Sequence, residues 1–207
     1  MQDIVRDFRR LLRRLPVAVL ACLLMLSGEL AFGVEPAVAV AVTQAGKGFS
    51  IEATVDVPVP VGTAWDVLTD FDHMAAILGN LTSSKVLSRE GNTLIVRQEG
   101  TARYGLLSFA FESEREMRLE PMKRILAHGL SGTAKRLESE ARLLPLGQGM
   151  QIRYHAEVEP DSMLARLFGA PFVRHETEEQ FMLMAREMMR RQARAEGAAK
   201  AAPPGKG

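Results

Sequence analysis

The run GAPFVRHETEEQFMLMAREMMRRQAR, residues 169–194, reads as one long amphipathic helix in a chain of 207 residues. Beyond Pro171 it contains no Gly or Pro, and it is rich in strong helix formers. Val173, Thr177, Phe181, Met184 and Met188 recur at helical spacing and share one face. Arg174, Glu178, Arg186 and Arg190 fall on other faces. Pro171 suits a first turn, and Gly197 lies just past the expected end. Glu176, Glu178 and Glu179 sit early and Arg190, Arg191 and Arg194 late, as the helix macrodipole favours. Such a helix needs a broad apolar surface to cover its stripe.

The residues before it supply that surface in segments of period two. Met150, Ile152, Tyr154, Ala156 and Val158 alternate with Gln151, Arg153, His155, Glu157 and Glu159, a strand with one dry and one wet face. Upstream, 134–144 alternates Arg136, Glu138, Glu140 and Arg142 with Leu137, Ser139, Ala141 and Leu143. Strands are also expected over 124–130, 106–119, 93–103 and 81–89. Short turns at Pro145–Gly149, Ser131-Gly132, Pro121 and Glu90-Gly91-Asn92 join them. This is an antiparallel meander of six strands.

A seventh strand, FSIEATVDV (49–57), is stopped by Pro58 and Pro60. Residues 62–70 then read as a helix with Ala64, Trp65 and Leu68 inward. Asp70 or Asp72 caps a second short helix, which closes at Gly79-Asn80. The expected fold is α+β: about seven antiparallel strands curved round a long C-terminal helix, with two short helices after the first strand, the helix-grip arrangement. The segments VDVPVP (55–60) and AWDVLTDFD (64–72), with SKVL (84–87) and RQEG (97–100), resemble the polyketide cyclase/START-like (SRPBCC) superfamily. Its coenzyme Q-binding and lipid-transport branch is the nearest in pattern. The resemblance spans about 49–194 and departs from many relatives at Ile77–Asn80, where a Pro is common.

At the amino end, Arg9, Arg10, Arg13 and Arg14 precede a twelve-residue apolar core, LPVAVLACLLML (15–26), and small residues follow. Residues 1–33 are therefore expected to be an export signal, placing the protein in the periplasm or outside the cell; an uncleaved membrane anchor is the alternative. Residues 34–48 are expected to be a leader, 49–196 the domain and 197–207 a disordered tail. Cys22 is the only cysteine, so the body after residue 33 can form no disulfide and no thiolate metal site. Without the first 33 residues the chain keeps 21 basic and 22 acidic residues, a net of −1 from +1 overall. Near neutrality gives no electrostatic case for nucleic acid.

No catalytic or phosphate-binding motif stands out, and the four histidines (73, 128, 155, 175) are too scattered for a metal centre. No cofactor is expected. The resemblance implies a cavity between sheet and helix for an apolar ligand such as a lipid or quinone, with membrane contact as a further expectation. Its expected lining is Phe109, Phe111, His128, Ile152, Tyr154, Phe181, Met184 and Met188. His128 is included because it shares a strand face with Leu126 and Leu130. The plainer reading is that the same residues fill a packed core, with His128 a satisfied core histidine. Two other functions stay open: a cyclase or dehydratase using His128 or Tyr154 as acid and base, and an envelope protein-interaction module.

Overall fold

Alternating apolar and polar residues become strands almost wherever they occur. The computed structural model describes residues 35–104, 107–160 and 169–201. In chain order these hold β1 (Ala37–Ala45), β2 (Gly48–Val57), α1 (Val61–Leu68), a 3₁₀ turn (Phe71–His73), α2 (Met74–Ile77), β3 (Leu81–Glu90) and β4 (Thr93–Tyr104). Then follow β5 (Leu107–Glu120), β6 (Arg124–Gly132), β7 (Ala134–Leu146), β8 (Gly149–Pro160) and α3 (Gly169–Ala201). The strands form one curved antiparallel sheet in the order β1-β2-β8-β7-β6-β5-β4-β3, with α3 against it. The six-strand meander β3–β8 closes on β2 through an unbroken register from Phe49↔Val158 to Val57↔Met150. The helix-grip architecture is thus the one the sequence implies. The expected export segment, with Cys22, lies outside the described residues, as do 161–168 of the expected link to the helix and 202–207 of the tail. No helix among the described residues is long and apolar enough to cross a membrane.

Two elements differ from expectation. The leader at 34–48 holds an eighth strand, β1, paired with β2 from Ala37↔Asp56 to Ala45↔Gly48. Its AVAVAV alternation is a strand pattern, and Gly46 turns the hairpin with φ +57, a conformation that suits glycine. The short helices therefore follow the second strand. The long helix also does not stop at Gly197 but runs to Ala201. A glycine in an exposed last turn costs only about 1 kcal/mol relative to alanine, too little to end a helix by itself.

The two sheet edges are built differently. β3 carries Lys85, Arg89 and Glu90 and two register irregularities, at Leu81/Ser83 and Val86/Ser88, features that discourage edge pairing. β1 carries no charge and no irregularity.

The core gathers the inner faces of β2 and β8, α1 and the α3 stripe. Val55, Ala64, Val67, Ile152, Ala185 and Met188 are all within 1% of full burial, and Trp65 and Phe181 join the same cluster. Burial of each large apolar side chain contributes roughly 1.5–3 kcal/mol. At its far end α3 is tied down by polar contacts. Arg191 bridges Asp70 (Nη2–Oδ2 2.6 Å) and Glu187 (Nε–Oε1 2.8 Å), and Thr63 Oγ1 donates to Gln192 Oε1 at 2.8 Å. Burial raises the Asp70 and Glu187 carboxyls, but the arginine and histidine hydrogen bonds outweigh it and hold both below the usual carboxylate range. Neither Asp70 nor Asp72 caps α2: Asp70 is taken by Arg191 and His73, and Asp72 Oδ1 accepts the Val86 N–H at 2.8 Å.

Candidate functional site

Two chambers lie between the sheet and α3. The larger, about 290 Å³, is walled mainly by Phe49, Leu81, Ala102, Phe109, Phe111 and Leu137 from the sheet and by Phe172 and Val173 from α3. The exposed Glu112 and half-buried Thr133, Pro160 and Gly169 stand at its rim. The smaller, about 180 Å³, is lined by Phe71, Met74, Met117, Tyr154, Phe181 and Met184 among others. Leu78, Gln98, Arg115 and Gln180 border both, so the chambers meet at one shared and mostly polar wall.

The Phe111 wall of the larger chamber depends on a glycine. Gly100 of β4 lies beneath the Phe111 ring: a Cβ there would stand 2.3 Å from the Asn80 carbonyl oxygen and 2.6 Å from the ring edge. Only glycine leaves room for both the carbonyl and the ring at that position.

Arg115 is the unusual member. It is half-buried and borders both chambers. One of its terminal nitrogens donates to Gln98 Oε1. The Gln98 Nε2 donates to Ser84 Oγ at 3.0 Å, and Ser84 donates to the Phe71 carbonyl, so the chain of bonds ends on the 3₁₀ turn. Among the described residues no carboxylate pairs with Arg115, and its Nε is buried without a partner. Burial pulls its pKa down, with Tyr154 acting in the opposite sense. A buried guanidinium without a counter-charge is costly and presents unspent donors to whatever enters the chamber.

Tyr154 stands across the smaller chamber, edge-on to Phe181 with ring centroids 5.0 Å apart and planes at 64°. Burial pushes its phenol up, against the pull of a Ser139 hydrogen bond and of Arg115. It is therefore a proton-bearing donor at neutral pH, not a base. At the rim of the larger chamber burial also raises the Glu176 carboxyl, while Asn80 Nδ2, donating at 3.1 Å, pulls the other way.

The expected lining divides into three groups. Phe109 and Phe111 wall the larger chamber, and Tyr154, Phe181 and Met184 wall the smaller. Ile152 and Met188 are instead packed core at 0% and 1% exposure. His128 is on the wrong side of the sheet for a cavity role. It lies on the outer face, more than half exposed, with Nδ1 2.6 Å from Glu138 Oε1. Ile125 and Ala127 face inward, which puts Leu126, His128 and Leu130 outside. The inner face of β6 runs from Ile125 through Ala127 to Gly129, where a Cβ would stand 3.1 Å from that of Leu137. Gln98 and Arg115 were missed, although the alternations Leu94-Val96-Gln98 and Phe109-Phe111-Ser113-Arg115 carry both onto the dry face. A charge in phase with a dry face was the signal.

A family model described as polyketide cyclase/dehydrase and lipid transport matches residues 48–196. The chain belongs to that family. Solved structures agree on the fold. The Zhui aromatase/cyclase from Streptomyces sp. R1128 is 18% identical with a TM-score of 0.60, covering 72% of this chain and 97% of its own. A STAR-related lipid transfer protein from Xanthomonas axonopodis is 11% identical with a TM-score of 0.60, covering 73% and 93%. A START superfamily protein from Mycobacterium smegmatis is 15% identical with a TM-score of 0.54, covering 70% and 98%. At these identities the likeness is one of fold. No curated protein matches the sequence. The family's helix-grip domain begins at β2, so β1 lies outside the matched region.

Proposed function

We propose that this family member binds an amphipathic small molecule, a lipid or quinone with an apolar body and one acceptor group, and carries it outside the cytoplasm. The observation that supports the reading is the pair of adjoining apolar chambers with Arg115, which has no carboxylate partner among the described residues, in the wall they share. The apolar body gains by leaving water, and a carboxylate, phosphate or carbonyl oxygen meets the guanidinium's free donors. The extracytoplasmic site rests on the Arg-rich start and short apolar core of residues 1–33. N-terminal sequencing of the exported protein should begin between Val34 and Val42; an intact Met1 in the membrane fraction would favour an anchor.

The binding test uses the fluorescent fatty acid cis-parinaric acid, with native mass spectrometry of the purified protein to detect copurifying ligand. Wild type should take up the probe saturably. Ala102→Phe in the larger chamber and Met184→Trp in the smaller should each keep the fold and weaken uptake about tenfold or more, since a bulky side chain fills open space with little strain but overpacks a full core by about 1–3 kcal/mol. No uptake by wild type, with both variants unfolded, means a filled core and ends the carrier reading.

A cyclase or dehydratase is the second reading, favoured by Arg115 and Tyr154 converging on the smaller chamber, where both can polarise a carbonyl. Among the described residues that line that chamber there is no carboxylate or histidine to serve as base. Tyr154→Phe included in the same titrations separates the two: a carrier keeps its ligand, whereas an enzyme binds but no longer turns over.

A further inference from the structure

Asn80 stands where the α2 segment gives way to β3, and its backbone is fixed there. Its carbonyl accepts the Thr101 N–H at 2.8 Å, and the next residue, Leu81, is in register with Gly100. The side chain reaches across to α3, where Nδ2 donates to Glu176 Oε2 at 3.1 Å. That contact uses one end of the amide only. Oδ1, at the other end, is buried and has no hydrogen-bond partner among the described residues. Leaving a buried acceptor without a partner is costly, and folded proteins keep few of them. Both residues border the larger chamber. Arg115 borders it too and has the opposite need: it offers donors, whereas Asn80 Oδ1 and the Glu176 carboxylate offer acceptors.

We propose that Asn80 and Glu176 form a second polar station in the larger chamber, which receives a hydrogen-bond donor, an alcohol or phenol hydroxyl, on the same ligand whose acceptor group meets Arg115. The ligand is then a hydroxylated apolar acid or ketone, polar at two places and apolar between them. A plain fatty acid or a hydrocarbon satisfies at most one station. This rests on the cavity-binding reading above and adds the chemistry of the ligand's second polar group.

The station is tested by binding two fluorescent probes that differ in one hydroxyl, 2-naphthoic acid and 6-hydroxy-2-naphthoic acid. Wild type should bind the hydroxylated probe about tenfold more tightly, the value of one well-formed hydrogen bond near 1.4 kcal/mol. Asn80→Leu should bring the ratio close to one without weakening 2-naphthoic acid, which makes no use of the station. Glu176→Met, a change on an α3 side chain that keeps much of its volume, should lower the same ratio and serves if Asn80→Leu does not fold. Equal affinity of the two probes for wild type overturns the station and leaves the cavity reading in place. So does a hydroxyl preference that survives both substitutions. If neither probe binds wild type, the cavity reading falls and the station with it.

Discussion

Trp65→Ala is expected to lower the free energy of unfolding by about 3–5 kcal/mol, measured by reversible urea denaturation. Trp65 is 9% exposed and belongs to the cluster that also holds Phe181, Ala185 and Met188 of α3 and Val55 and Ile152 of the sheet. It lies on a helix of only eight residues, α1, whose other buried members are Ala64, Val67 and Leu68. A helix that short is marginal alone and is held by packing, so removing its largest side chain also loosens what orients it. Loss of the indole undermines two further contacts of this segment: Thr69 Oγ1 on the Trp65 carbonyl at 2.8 Å, and Thr63 on Gln192. A change below about 1 kcal/mol would show that the indole is not part of the core, and the described packing of α1 would be wrong.

Arg115→Met is expected to move stability and binding in opposite directions. Methionine nearly matches the apolar stem of arginine and removes a charge that no carboxylate among the described residues offsets, so the variant should be as stable as wild type or more stable by about 1–3 kcal/mol. The same change removes the donors offered to the ligand. Affinity for cis-parinaric acid should fall about 10- to 100-fold, the value of a charge-assisted hydrogen bond of about 1.5–3 kcal/mol. Thermal melting and fluorescence titration of one preparation read both effects. If the variant is markedly less stable and binds unchanged, Arg115 is a structural residue tied to Gln98 and not a ligand contact.

Much of the fold was legible because each strand has a dry and a wet face and its residues report which is which. In β2 and β8 every second residue, from Phe49 to Val57 and from Met150 to Val158, is apolar, and those faces are the ones turned inward. The same rule misassigned β6. Leu126 and Leu130 lie on the outer face on either side of His128, with Leu130 48% exposed, while the inner positions beside His128 are only Ala127 and Gly129. Size therefore pointed the wrong way, and a shift of one residue in phase carried His128 to the opposite side of the sheet. β1 was hidden for a related reason: an Ala/Val alternation has little contrast, since alanine is tolerated on either face. The α3 stripe was readable for Phe181 and Met188, but helical spacing alone did not separate Met184, which borders a chamber, from Met188, which is packed. The polar end of the site went unread because only apolar residues were followed along the dry faces, although the place of Gln98 and Arg115 in the alternation turns both inward.

Closure of the sheet by β2 and β8 has a kinetic consequence. Phe49 pairs with Val158, and the strands between form a meander of neighbours. During synthesis the β1–β2 hairpin emerges first, and the inner edge of β2 then waits for nearly the whole domain before its partner exists. Long-range pairing of that kind is slow, because loop closure precedes the contacts that reward it. The chain is therefore expected to complete its sheet only once β8 is available, with the inner edge of β2 and the uncharged β1 edge exposed meanwhile to other chains, and a product truncated before β8 should aggregate rather than form a smaller working domain.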